Sequence, residues 1–298
     1  MGHRKGYRGG YTLAALLCSA LAFANPAGAQ EQPGAQNLRP AVYSFLQSHA
    51  AVSEWTDQIG RWYQPVCAQV TGLKPEFNRY LSDHVMTLAR EVGAPTGTLG
   101  KDCAVNVEIL FTATPQEFVN QVAVGNRQLL GFYYQSQRAQ VTTFSRPVQA
   151  WYVTGTQSLE SPTLLHPLLN GERGEGASGP GPVRIDDSRI HQRLRSEILH
   201  VMIIADINAL SRYSLPAIAD YIGVLSLTRI TALDSCEALP SVIDLLSTSC
   251  GAGKAAATAV TPADLGLLKA LYSADLEANL NLERADLQAR MLKQLPGT

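Results

Sequence analysis

Apolar residues recur at helical spacing through Val42, Phe45, Leu46, Val52, Trp55 and Ile59, and predict one amphipathic helix over 42–59. The next stretch, "RWYQPVCAQVTGL" (61–73), reads as a strand with Pro65 near its start and Gly72 at its end. Over 74–93 the helical period returns. Pro75 suits a first turn, Phe77, Leu81, Val85, Leu88 and Val92 share one face, and Gly93 supplies a stop. "AVNVEILFT" (104–112) alternates and then becomes continuously apolar, as a partly buried strand does. Thr114 and Glu117 have the spacing of a capping box and open another helix. β-branched and aromatic residues crowd 141–154, which reads as one or two strands interrupted at Pro147.

The pattern changes at residues 170–183, which are rich in glycine and proline. Residues 170–183 could link two domains or form one long insertion in a single sheet; beyond them "EILHVMIIADI" (197–207) is a strand with too little strand material around it to build a second sheet, which favours the insertion. The rest is helical. Ser214 caps a helix whose first turn holds Pro216, and Leu239–Leu246 forms a second. Thr261, Pro262 and Asp264 open a third, and 281–292 is an amphipathic tail helix. The order implies an α+β fold on a mixed sheet. A loose leader (30–40) precedes an α/β portion (41–169), and a strand plus helices (184–298) continue the same domain.

Charge and the first residues change the picture from fold to location. Arg4, Lys5 and Arg8 precede an apolar run from Tyr11 to Phe23, and Ala27-Gly28-Ala29 supplies small residues for cleavage before Gln30. Residues 1–29 are read as a signal peptide, and the product as exported, periplasmic or secreted. Cys18 follows Leu17 where lipid attachment wants a small residue, and is a passenger. Without residues 1–29 the chain holds 21 Lys+Arg against 25 Asp+Glu, a net charge of −4, which offers no field for nucleic acid. The longest later apolar run, Ile198–Ile204, contains His200 and is far short of the roughly 18 residues of a membrane span.

Cys67, Cys103, Cys236 and Cys250 remain, an even number for an oxidising compartment. Of the three pairings, their placement favours Cys67–Cys103 with Cys236–Cys250. A zinc site is the rival reading, weakened by the absence of C-x-x-C spacing and of a nearby histidine.

One stretch has the cadence of a metal-binding helix. "IADYIGVLSL" (218–227) follows a strand, "LPSVIDLL" (239–246) follows it, and "VTPADLGLLKALYSADL" (260–276) comes last. Over roughly the last 100 residues this order resembles the zincin-like peptidases of the metzincin type. There an H-E-x-x-H helix puts two imidazoles on one face, with a glutamate to activate water. The resemblance places Asp220 at the first histidine, Tyr221 at the glutamate, Val224 at the second histidine and Ile230 at the third. It therefore implies a scaffold without zinc ligands: no metal, no cofactor and no catalytic residue. The vestigial cleft would be bordered by Asp206, Asp220, Tyr221 and Val224.

The other chemistry-bearing residues have plainer readings. His49, His84, His166, His191 and His200 form no i, i+4 pair with another His, Asp or Glu in a way that suggests a site; His200 reads as a hydrogen-bonded strand residue and Asp83-His84 as a solvated helix face. Asp206 and Asn208 suit a turn. The string Gly251–Lys254 ("GAGK") lacks the strand before it and the Ser/Thr after it that a phosphate loop needs, and G-x-S-x-G is absent. The aromatic run Phe132–Tyr134 reads as core, with a groove wall as its alternative. The sequence thus favours an exported non-catalytic protein that binds a peptide or cell-envelope component or is structural. The alternative is a peptidase-like hydrolase assembled by folding from His200, Asp206 and Asp220.

Overall fold

The computed structural model describes residues 1–2, 38–53, 58–131, 135–158, 194–250, 256–274 and 280–295. All but the first two residues of the signal segment 1–29, most of the leader, the stretch 170–183, His166, His191, residues 132–134 and Gly251–Lys254 lie outside the described residues.

Strands β1 (Ala68–Thr71), β2 (Val107–Thr112), β3 (Val148–Ser158) and β4 (Leu194–Asp206) form one mixed sheet in the order β1-β2-β4-β3. β1, β2 and β4 run parallel, and β3 closes the edge antiparallel to β4. The fold is therefore α+β, as the pattern implies. β4, from beyond the glycine-rich stretch, lies between β2 and β3, which precede it. Its alternation sorts two layers. Val201, Ile203 and Ala205 face α2 (Pro75–Val92) and α6 (Leu215–Leu227), whereas Met202 and Ile204 face Val119 and Val122 of α3 (Pro115–Gly125) and Trp151. A separate cluster joins α1 (Leu38–His49), α7 (Pro262–Ser273) and α8 (Leu280–Gln294). The short helices α4 (Arg138–Val141) and α5 (Ile207–Leu210) complete the set. Among the described residues no helix is long and apolar enough to cross a membrane.

Local signals hold where they are self-contained. α2 begins at Pro75 and ends on Gly93 in the left-handed region, φ 82°. Thr261 and Asp264 form a reciprocal capping box at α7. Cys67 pairs with Cys103 and Cys236 with Cys250, with Cα atoms 6.3 and 5.4 Å apart.

Several expectations change. The helix expected over 42–59 starts in the leader, at Leu38, and stops at His49; the chain then reverses so that Val52 and Ile59 pair antiparallel. The strand expected over 61–73 shrinks to Ala68–Thr71, because Arg61 and Val66 make only isolated bridges, to Glu197 and Thr96. Residues 138–141 are helical, and β3 begins after Pro147. Leu239–Leu246 is not an α-helix but a 3-10 turn over Val242–Leu246, since Pro240 precedes it and Asp264 captures its first amide. Thr114 stands at the N-cap of α3 without a side-chain cap bond, so the Thr114/Glu117 box does not form.

A buried acid ties α8 to the rest. Glu283 is 3% exposed and accepts a hydrogen bond from the Ile59 amide at 3.0 Å. Arg61, also buried, donates to the last carbonyls of α7, Leu271 at 2.5 Å and Ala274 at 3.4 Å. Burial pushes the Glu283 carboxyl from 4.5 up to about 7, against the pull of the Ile59 amide and of Arg61. A raised carboxyl pKa gives stability that is whole below the unfolded value and fades as pH climbs through the folded one. Native stability should therefore lose up to about 3 kcal/mol from this group between pH 4.5 and pH 7. Glu283→Gln should remove that loss, as read by urea denaturation across the range; a variant whose pH profile runs parallel to the parent's would contradict it.

Candidate functional site

The helix that resembles a metal-binding helix is α6. Thirteen residues long, it is apolar on every side apart from Asp220, and it is buried from Ala217 to its end save for that residue. It begins where the pattern places it: Ser214 is the N-cap and accepts a bond from the Ala217 amide at 3.4 Å. It packs beside α2 in the core on one face of the sheet, and the contact with α2 is close because of one glycine. A Cβ on Gly223 would stand 2.9 Å from Leu88 Cδ2 of α2.

That approach brings Asp220 to His84 on α2. His84 Nε2 donates to Asp220 Oδ1 at 2.5 Å, and the Val260 amide donates to Asp220 Oδ2 at 3.0 Å. A carboxylate only accepts, so Nε2 of His84 carries the proton. The Asp220 side chain is 15% exposed and that of His84 29%. Both oxygens of the first ligand-position residue are thus engaged by the protein. They link α6 to α2 and to the segment leading into α7.

Tyr221 and Val224 turn into the core, 2% and 0% exposed, and Ile230 packs half-buried against the same core. Around Tyr221 lie Arg146, Asp234 and Asp244; Arg146 donates to Asp234 at 2.6 Å. Burial drives the Tyr221 phenol further above its ordinary value, Arg146 pulls it back, and Asp234 and Asp244 add to the rise. A phenol so placed is neutral and cannot replace a carboxylate base. Zinc does not fit these positions: a single carboxylate, hydrogen-bonded through both oxygens, with a buried phenol and two aliphatic side chains is not a ligand set.

The far end of α6 is also buried, and its orphan carbonyls find aromatic donors. Tyr152 Oη of β3 donates to Leu225 O at 2.8 Å and lies 3.2 Å from Thr228 O. Trp62 Nε1 donates to Ser226 O at 2.8 Å, and Tyr272 Oη of α7 to Leu227 O at 2.6 Å.

The remaining candidates are not gathered here. Asp206 is the N-cap of α5 and accepts from the Asn208 amide at 2.9 Å, so it makes the expected turn. His200 contacts Glu108 at 3.3 Å on the face of the sheet that carries Met202 and Ile204, away from α6. The structure thus does not bring His200 to Asp220. Sequence reasoning missed His84 as a partner, because 136 residues separate it from Asp220. The one available signal was a lone charge in an otherwise apolar helix.

A pocket of about 460 Å³ lies elsewhere, between β1, α2 and residues 97–99. Gln69, Asn78, Arg79, Ser82, Asp83 and Arg90 give it a polar lining. Its wall is fixed by the Cys67–Cys103 disulfide, and Ser82 Oγ accepts from the Val70 amide at 3.2 Å.

Comparison with known proteins finds no matching family model, no matching curated protein and no matching solved structure.

Asp220→Ala should strand the Val260 amide and the His84 ring, and cost about 2–3 kcal/mol in urea denaturation. Gly223→Leu should cost more by forcing α2 and α6 apart. Unchanged denaturation midpoints for both variants would show that this crossing is not where the fold is held.

Proposed function

We propose that this chain is an exported, non-catalytic binding protein built on a zincin-like scaffold, in which the metal-binding helix has become a structural strut. One observation carries the reading: both Asp220 oxygens accept hydrogen bonds from within the protein, from His84 and the Val260 amide. Its neighbours Tyr221 and Val224 are core residues. The order of elements supports the scaffold: a sheet strand, the helix α6, a turn over Val242–Leu246 and then α7 follow one another as the resemblance implies. Two disulfides support export, since such bonds persist in oxidising compartments.

With the strut closed to ligands, the polar pocket beside α2 is the binding face of this reading. Arg79 and Arg90 flank Asp83 along one side of the helix, and a short peptide carrying carboxylates matches that charge pattern.

Metal analysis of the purified, oxidised protein after mild dialysis should find no stoichiometric zinc, and Tyr221→Ala should lower the denaturation midpoint without altering metal content. One equivalent of zinc that is lost on Asp220→Ala would overturn the reading.

A further inference from the structure

A second group of metal-type donors lies in the segment between α6 and α7. Cys236, Asp244 and Cys250 each present one donor atom, and the three atoms lie within 4.8 Å of one another. Cys236 and Cys250 are joined as a disulfide and are half-buried, so a reductant can reach them; Asp244 is buried. Asp244 stands on the 3-10 turn that Asp264 holds. The Asp264 carboxylate accepts from Ser241 Oγ at 2.6 Å and from the amides of Val242 and Thr261, each at 2.9 Å. That anchor is independent of the disulfide, so the third donor keeps its place when the sulfurs separate. Ser247 Oγ also lies 3.7 Å from Cys236 Sγ. Cys236 is the one non-glycine residue at positive φ among the described residues, at 49°, a conformation that costs energy and that the surrounding structure must impose.

The geometry points to a redox-gated site for a thiophilic divalent cation of the zinc class, formed by Cys236, Asp244 and Cys250 once the disulfide is reduced. A dithiol reductant supplies two electrons and two protons, breaks the S–S bond to leave two thiols, and itself becomes a disulfide. The cation then displaces both thiol protons to solvent and takes two thiolates and the carboxylate, with water as fourth ligand. At a metal–sulfur distance of about 2.3 Å a tetrahedral site needs sulfurs about 3.8 Å apart; they stand 2.08 Å apart in the disulfide, so reduction must let them separate. Among the described residues Cys67 and Cys103 have no such third donor, and serve as an internal control. The site uses no residue of α6 and stands apart from the reading of that helix.

The probe is cobalt(II), added to the full chain after reduction with a phosphine under argon. A cobalt–thiolate charge-transfer band should saturate at one equivalent. It should be absent from the oxidised chain, survive the paired Cys67→Ser and Cys103→Ser substitutions, and vanish in Cys236→Ser. Asp244→Asn should weaken binding at least about tenfold. No band in the reduced chain, or a band that Cys236→Ser leaves intact, overturns the proposal. Should a variant fail to fold, zinc must slow alkylation of Cys236 and Cys250 in the reduced parent chain; equal rates with and without zinc overturn it as well.

Discussion

The C-terminal end of α6 is buried, and a helix end buried in protein must find donors for carbonyls that have no partner within the helix. Here Tyr152, Trp62 and Tyr272 supply them to Leu225, Ser226, Leu227 and Thr228. The three donors come from β3, from the segment before β1 and from α7. One helix terminus therefore fixes the relative position of the sheet, the N-terminal part of the chain and the C-terminal helices. Burial keeps Tyr152 and Tyr272 protonated by driving both phenols well above their ordinary range.

The same economy recurs at the other polar groups in the interior. Asp264 caps α7 and the Val242–Leu246 turn with one carboxylate. Arg61 lies against the C-terminal carbonyls of α7, where a cation is favoured by the helix dipole. Asp220 joins two helices and a loop. In each case a side chain of a type common in active sites satisfies backbone or side-chain groups that packing has removed from water. That use explains how a helix with the cadence of a metal site can hold a charged residue and present no ligand set.

How much of this was legible depended on whether the signal was local. Pro75 and Gly93 bound α2, and Thr261 and Asp264 open α7, because propensity and capping act within a few residues. The apolar period past His49 misled, since Val52 and Ile59 are apolar for the sake of a chain reversal rather than a helix. Residues 61–66 look like strand but find only single bridges, because β1 pairs with β2 from Ala68 onward. The candidate site was legible as a list of residues, not as contacts. Asp220, Tyr221 and Val224 share α6, yet Asp220's partner sits on α2, and Tyr221 meets charges from the β3 approach and from the segment after α6. Asp206 answered to the local turn rule, while His200 and Asp220 were separated by the sheet, which no spacing in the sequence reveals.

α6 is a strut held at Asp220, midway along it, and at its buried C-terminal end. Native-state hydrogen exchange on the oxidised chain tests it most directly. The amides from Ile222 to Thr228 should exchange only through global unfolding, in the slowest class of the protein, and Tyr272→Phe should lower their opening free energy and the global one together. Exchange of these amides through a separate, lower-energy opening, or their selective slowing by added zinc, would contradict it.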